Sequence, residues 1–141
     1  MPTLDDPHEL RRRVAAAPVA RLATLRRDGS PRLVPVTFAL VDERICFVVD
    51  DLKPKRDRRL ARLADIGRDD RVAVLVDHYD ADWSALWWVR IDGRAEEHGT
   101  GPLRDRAVDA LATKYAPYRL RRPAGPVVAI TPLCWSGWSA S

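Results

Sequence analysis

The chain has 141 residues, of which 46% are apolar and 31% are charged, and its formal charge is +4. This length is enough for one domain with its own core, and the composition excludes a disordered or low-complexity chain. A modest positive charge does not by itself indicate nucleic-acid binding. No apolar run approaches the length of a membrane span and the acidic start is unlike a signal peptide, so we expect a soluble, cytoplasmic protein without membrane contact.

The first half of the chain predicts one helix and three strands. An acid, a proline and a glutamate within residues 6–9 are typical of a helix start, and apolar residues at helical spacing follow as far as Pro18. The segments VARLATL and PRLVPVTFALV flank Asp28-Gly29, a dipeptide typical of hairpin turns. A second turn at Asp42-Glu43 leads to RICFVVD, the third predicted strand.

The second half predicts two helices and three more strands. A helix is expected from Pro54 to Gly67, with an apolar side that consists of Leu60, Leu63 and Ala64. RVAVLVD and LWWVRIDGRAE follow as strands joined by the loop HYDADWSA, and then come the helix GPLRDRAVDALATKYAP and the strand PVVAITPL. Six strands with few helices between them predict a mainly β fold, a six-stranded antiparallel barrel in a single domain over residues 1–141.

The cysteines and histidines do not have the spacing of a metal site. Cys46 and Cys134 both lie in apolar runs, so we expect two core thiols in a reducing compartment. His8, His78 and His98 are scattered along the chain, and each is expected on the surface or in a loop. The sequence therefore predicts no bound metal.

Residues 50–63, DDLKPKRDRRLARL, concentrate six basic side chains just after a predicted strand. On a helix, Lys55, Arg59 and Arg62 stand at i, i+4 and i+7 and so line one face. Lys53 lies where the free N–H groups of that helix begin, which is a suitable place for a phosphate. A solvated basic face is the alternative. The position beside a strand end, where a barrel opens, favours a ligand.

The order of these segments resembles the pyridoxamine-phosphate-oxidase-like superfamily of split barrels. The similarity rests on RLATLRRDGSPRLVPVTFALV, RICFVVDD, the basic helix, DDRVAVLVDHY, LWWVRIDGRAE and PVVAITPLCW, and it spans nearly the whole chain. Within that superfamily the chain is most similar to the branch assigned to the deazaflavin coenzyme F420. The resemblance implies a split barrel of the FMN-binding type, with F420 as cofactor and FMN as the alternative.

The resemblance also implies which residues bind the cofactor. In the family, the strand after the Asp-Gly turn runs along the ring, and the end of the next strand flanks the same ligand. Here these positions correspond to Pro35, Val36, Thr37 and Phe38, and to Val49 and Asp50. Backbone groups are expected to fix the ring.

The same resemblance assigns the cofactor phosphate to the basic helix. Arg62 has the most regular basic position of the family, with Lys55, Arg56 and Arg59 beside it. Arginine suits bidentate phosphate contact better than lysine does. The pyridoxamine-phosphate oxidases also carry a basic C-terminal segment for their substrate, whereas PLCWSGWSAS follows the last strand here. We therefore do not expect oxidation of pyridoxamine phosphate.

Five tryptophans are a high number for this length. Trp87 and Trp88 are adjacent on a predicted strand and face opposite sides, so one of them is expected in the core. The other is explained either by a subunit interface or by a place for Trp88 or Trp83 over the cofactor or substrate, reaching in from a partner chain. Tyr79 has the same two explanations.

These observations favour a homodimeric F420-dependent oxidoreductase with its cofactor sites at the subunit interface. It would transfer a hydride to an unsaturated or quinone-like small molecule. The sequence identifies no catalytic acid, although Thr37 or Tyr79 could donate a hydrogen bond to the acceptor. Three alternatives remain: an FMN-dependent oxidoreductase, a non-catalytic protein that stores or senses a flavin, deazaflavin or tetrapyrrole, and nucleic-acid binding by the basic helix. The last is not favoured, because no recognition motif follows a turn.

Overall fold

The computed structural model describes residues 3–49 and 56–141, and within residues 56–60 it describes the helical backbone. Helix α1 spans Pro7–Ala16, where the predicted helix lies. The side chain of Asp6 accepts a hydrogen bond from the N–H of His8 and caps the helix start. Buried Leu10 and Val14, four residues apart, fix α1 to the barrel.

Both predicted turns are present. Strand β1 (Ala20–Leu25) and strand β2 (Pro31–Val36) form an antiparallel hairpin. Gly29 adopts a φ of 85° in the turn, where the N–H of Arg26 donates to the carbonyl of Ser30. At the second turn Asp42 and Glu43 both have positive φ, which is the conformation of a tight hairpin loop.

Seven strands form one antiparallel sheet in the described part of the chain, one more than predicted. The others are β3 (Ala39–Val41), β4 (Arg44–Val48), β5 (Arg71–His78), β6 (Trp87–His98) and β7 (Val127–Ser139), and the order is β2-β1-β5-β6-β7-β4-β3. The segment PRLVPVTFALV was predicted as one strand but is two, because β2 pairs with β1 whereas β3 pairs with β4.

This exchange of partners gives the fold its shape. Strands β2 and β3 are the two edges of the sheet, yet Thr37 and Phe38 are the whole connection between them. Two residues span less than about 10 Å, so the sheet must curl until its edges meet. The protein is therefore a mainly β split barrel, as predicted.

The interior of the barrel holds the main core. Alternate residues of each strand point inward, which places one apolar row per strand inside. The largest fully buried side chains of this core are Leu22, Phe38, Ile45, Phe47, Val74, Val76, Val89, Ile91, Val14 and Ile130. This interdigitated core fixes the positions of the strand ends, where the functional side chains lie.

The helices cover the barrel. Helix α3 (Pro102–Lys114) packs Ala107 and Val108 against Cys46, which is buried as predicted, and α4 (Ala116–Leu120) follows after Tyr115. Among the described residues, no helix is long and apolar enough to cross a membrane.

Helix α2 (Arg56–Arg68) ends within one residue of the prediction, whereas its predicted start at Pro54 lies outside the described residues. Leu63 packs on the barrel core as expected, but Ala64 is exposed. Asp65 and Ile66 are buried instead. The inward side of α2 is therefore turned by about one residue from the predicted one, and it includes a carboxylate.

Cys134 was predicted in the core but is exposed. The register between β6 and β7 shifts at Asp92 and Gly93, so that Leu133 has no partner across the strands and bulges. One extra residue reverses the alternation of side chains, which places both Leu133 and Cys134 on the outer surface.

Candidate functional site

The predicted ring-binding strand lies at the open edge of the sheet. Pro35 is exposed, Val36 is buried, and Thr37 and Phe38 connect the two edge strands. Arg26 and Ser30 form a hydrogen-bonded pair at the hairpin end, and because bonded and non-bonded pairs alternate along β1 and β2, Pro35 and Arg21 form a pair without mutual hydrogen bonds. The carbonyl of Pro35, and the N–H and carbonyl of Leu33 two residues earlier, therefore point away from β1. They are available to a ligand at this edge.

Tyr115 holds the connection between β2 and β3 in place. The N–H of Phe38 donates to the hydroxyl of Tyr115 at 3.2 Å, and the carbonyls of Phe38 and Pro18 lie 3.1 and 2.8 Å from the same hydroxyl. The backbone of Phe38 is thus already bonded within the chain. Of the four predicted ring-binding residues, Phe38 therefore has the fewest backbone groups free to bind a cofactor.

Thr37 has a hydroxyl partner of its own. Its Oγ1 lies 2.9 Å from the hydroxyl of Tyr118, which is buried. The Thr37 hydroxyl is therefore already hydrogen-bonded. Whether it donates to a bound molecule depends on the orientation of the Tyr118 hydroxyl. The sequence analysis missed Tyr115 and Tyr118. The only local signal was two tyrosines at i and i+3 beside a helix end, a spacing that does not reveal contacts about 80 residues away.

Lys114 places a buried cation beside the same connection. Its Nζ lies 3.9 Å from the centre of the Phe38 ring, and among the described residues it has no hydrogen-bond partner. Burial lowers the pKa of Lys114 to about 8. The ammonium is stabilised by the aromatic faces of Phe38 and Tyr115, a weak substitute for an anion.

Arg62 is the member of the predicted phosphate site whose side chain is described. It is half-buried, and its guanidinium carbon lies 5.8 Å from the ring centre of Phe47 on β4. The Nε atom of Arg62 is buried and, within the described part of the chain, has no hydrogen-bond partner. Burial and then the nearby charge of Arg32 lower the pKa of Arg62. These features fit an anionic group, which would supply the missing acceptor.

Among the described residues, the neighbouring cluster around Asp65 does not compensate the positive charge of Arg62. Asp65 accepts hydrogen bonds from the Thr24 hydroxyl at 2.9 Å, from Arg32 at 2.7 Å and from Arg68 at 2.8 Å. One carboxylate therefore serves two guanidinium groups. Because Arg62 is a third cation at this place, the net charge here favours an anion.

The other predicted phosphate and ring residues are placed less fully. Val49 is buried, and its N–H donates to the carbonyl of Pro126 at 3.0 Å. The predicted site residues Asp50, Lys53 and Lys55 lie outside the described residues. The backbone of Arg56 and Arg59 is part of α2, and their side chains are outside the described part of the structure.

The two adjacent tryptophans face opposite sides, as predicted. Trp87 packs against the barrel core, whereas Trp88 lies on the other face. There it is paired across the strands with Trp138, and the guanidinium carbon of Arg90 lies 5.6 Å from its ring centre. Trp83 and Tyr79 are largely exposed in the loop region before β6.

Solved structures share this fold. A conserved hypothetical protein from Mycobacterium tuberculosis has a TM-score of 0.80 at 20% identity, covering 98% of this chain and 87% of that one. A FAD-binding protein from Mesorhizobium loti has a TM-score of 0.70 at 24% identity, covering 96% and 95%. A heme binding protein from Mycobacterium smegmatis has a TM-score of 0.68 at 19% identity, covering 94% of this chain and 57% of that one.

No curated protein is similar enough in sequence to be identified as a relative. A sequence model of the family described as pyridoxamine 5'-phosphate oxidase, however, matches residues 6–139, nearly the entire chain. The chain belongs to the pyridoxamine 5'-phosphate oxidase family.

Proposed function

We propose that this protein is a homodimeric oxidoreductase that binds the deazaflavin coenzyme F420. The tricyclic ring lies along the open edge of β2, and the phosphate lies at α2. The substrate is an unsaturated or quinone-like small molecule that accepts a hydride. FMN is the alternative cofactor, because it offers a similar ring and a phosphate to the same strand and helix.

Arg62 is the observation that carries this proposal. A guanidinium whose buried Nε has no acceptor among the described residues is costly unless an anion completes it, since burying an unpaired polar group costs about 1–3 kcal/mol. Arg32 cannot compensate Arg62, because it is itself a cation bound to Asp65. A phosphate has the charge and the acceptor oxygens that are missing.

The edge of β2 supports the ring half of the proposal. The outward-pointing carbonyls of Leu33 and Pro35 and the N–H of Leu33 offer hydrogen bonds to ring heteroatoms without any side chain. Tyr115 keeps the end of this edge rigid through Phe38 and Pro18. Trp88 of a second copy would cover the ring and exclude water.

A bound reduced deazaflavin supplies the hydride, and the chain supplies binding and position. Arg62 fixes the phosphate, and the β2 edge fixes the ring plane. The Thr37 hydroxyl, paired with Tyr118, is the described side chain nearest to the end of this edge that can donate a hydrogen bond to an acceptor.

Cofactor titration tests the proposal. The purified chain is titrated with F420 and, separately, with FMN, and the quenching of ring fluorescence is followed. In Arg62→Gln we expect binding to weaken about tenfold to a hundredfold, the range for a hydrogen bond to a charged group. The matched control is Arg121→Gln, an exposed arginine on the surface after α4.

The folding of each variant is checked by thermal unfolding. Arg62→Gln removes a poorly compensated buried charge, so its stability should not fall. Wild-type affinity in Arg62→Gln, or no binding of either cofactor to the wild type, would contradict the proposal.

A non-catalytic role in binding or storage is the second candidate function. A protein described as heme binding shares the fold, which makes hemin a useful third ligand in the titration. Tight binding of a cofactor without hydride transfer to a panel of quinones and enones would favour this role over catalysis.

A further inference from the structure

A cleft of about 410 Å³ lies at the end of the barrel away from α2. It is formed where α1 ends and β5 and β6 meet, and its walls include Arg12, Arg13, Pro18, Asp77, His78 and Trp87. Pro18 precedes β1, whereas Thr24 at the other end of β1 contacts α2 through Asp65. Six residues of strand separate the two places by about 20 Å, so the cleft is distinct from the proposed phosphate site.

One wall of the cleft is built from flat groups. The rings of His78 and Trp87 are stacked with their centres 6.3 Å apart and their planes at 20°. The guanidinium carbon of Arg13 lies 5.2 Å from the ring centre of Trp87. Three planar groups at one wall give a planar ligand a large contact area at a small entropic cost.

The arginines make this wall positive. Arg12 and Arg13 both bind Glu9, through Nε–Oε2 at 2.9 Å and Nε–Oε1 at 2.8 Å, so two guanidinium groups share one carboxylate. Only the Nε of Arg13 makes a hydrogen bond to a described residue, and that residue is Glu9. The two terminal Nη groups of Arg13 have no such partner in the described part of the chain. They are free to bind a carboxylate in the two-point geometry that arginine favours.

Asp77 does not add a carboxylate to this wall. It lines the cleft at the end of β5, but it lies opposite Trp88 in the strand register, so its side chain is on the face of the sheet away from His78 and Trp87. Among the residues that line the cleft, the arginines are therefore the charged side chains at the planar wall, and they favour an anionic ligand.

We propose that this cleft binds a small planar aromatic carboxylic acid. The ring contacts the His78 and Trp87 wall, and the carboxylate binds Arg13. A cleft of this volume accommodates one or two rings. The proposal is independent of the cofactor proposed above, because none of these three contact residues is among those proposed to bind the cofactor.

Three probes of nearly equal size test the carboxylate contact. Binding of 4-aminobenzoate, 4-aminobenzamide and benzoate to the full chain, without added cofactor, is measured by calorimetry. We expect 4-aminobenzoate to bind with millimolar or higher affinity. Loss of the charge in 4-aminobenzamide should weaken binding about tenfold or more, whereas benzoate, which keeps the carboxylate, should bind about as well as 4-aminobenzoate.

Variants then assign this contact. Arg13→Gln should remove the preference for 4-aminobenzoate over 4-aminobenzamide. Arg121→Gln, at an exposed residue that does not line the cleft, should leave that preference unchanged. No binding of 4-aminobenzoate, equal affinity for the neutral amide, or an unchanged preference in Arg13→Gln would overturn the proposal. Each of these results can occur whether or not the chain binds F420, so the two proposals fail independently.

Discussion

At the scale of single residues, Asp65 is the charge on which the contact of α2 with the barrel depends. It is 2% exposed, and it joins Thr24 on β1 and Arg32 on β2 to the helix. Burial by itself would raise the pKa of Asp65, but the hydrogen bonds from Arg32 and Thr24 outweigh it and hold the pKa below its ordinary value. The ionised form is therefore the one that stabilises the fold.

Asp65→Asn should destabilise the protein by about 2 kcal/mol at neutral pH. This is less than the cost of breaking a fully buried ion pair, because both arginines are about 30% exposed and water can solvate them. The free energy of unfolding is measured with urea. Glu96→Gln is the control, since Glu96 has an exposed carboxylate, and it should change stability little.

The same variant has a distinct pH dependence. Because the folded-state pKa of Asp65 is depressed, its contribution is fully present above about pH 4, the ordinary aspartate value, and is lost as pH falls through the folded pKa. The difference between wild type and Asp65→Asn should therefore shrink below about pH 4. A difference that stays constant down to acid unfolding would contradict the assigned role.

At the scale of the helices and strands, the sequence predicted well those features that depend on residues close together in the chain. The Asp28-Gly29 and Asp42-Glu43 turns and the Asp6 cap depend on a few adjacent residues, and all three are present. The break at Thr37 and Phe38 was missed because residues 33–41, LVPVTFALV, form an almost continuous apolar run without a turn dipeptide. It is caused by a change of strand partner, which the local pattern does not contain.

The candidate site divides in the same way. Arg62 could be predicted as a site residue because cations at helical spacing follow a strand, and its role in binding stays a prediction. Lys114, Tyr115 and Tyr118 were missed because they act on Thr37 and Phe38 from the far end of the chain, through contacts that only the folded barrel brings about. Cys134 was misplaced for a related reason, since the bulge at Leu133 depends on the register with β6.

The bulge between β6 and β7 should be sensitive to a single methyl group. A Cβ at Gly93 would lie 2.5 Å from the carbonyl oxygen of Thr131 and 3.0 Å from the side chain of Ile130. Gly93→Ala should therefore cost about 1–3 kcal/mol, as overpacking does elsewhere. Thermal and urea unfolding measure the loss.

Gly99 supplies the matched control, because nothing lies within 4 Å of the position of its added Cβ. Gly99→Ala should leave stability nearly unchanged. Equal stabilities of the two alanine variants would show that the strands move apart freely at the bulge and that its close packing is not required.

At the scale of the whole molecule, the curling of the sheet determines which surfaces a partner subunit can contact. The edge strands β2 and β3 are not paired with each other. On the outer face of β2, Pro31, Leu33 and Pro35 alternate with inward residues, and Leu33 is 70% exposed. Prolines on an edge strand prevent the addition of another strand, because they cannot donate to it. A second copy would therefore contact this row through side chains, beside the proposed ring site.

We predict that Leu33→Asp dissociates the proposed homodimer. In a two-fold interface both subunits contribute the same patch, so the substitution removes two buried leucines from each dimer. The free energy of association should therefore become less favourable by about 3–6 kcal/mol. Sedimentation equilibrium measures the oligomeric state, and Leu120→Asp is the control, since Leu120 is 89% exposed on α4 rather than on β2. Because the cofactor would lie between the subunits, F420 affinity should fall in Leu33→Asp and persist in Leu120→Asp. A wild-type monomer would contradict the proposed homodimer, and a dimer that only Leu120→Asp disrupts would place the interface elsewhere.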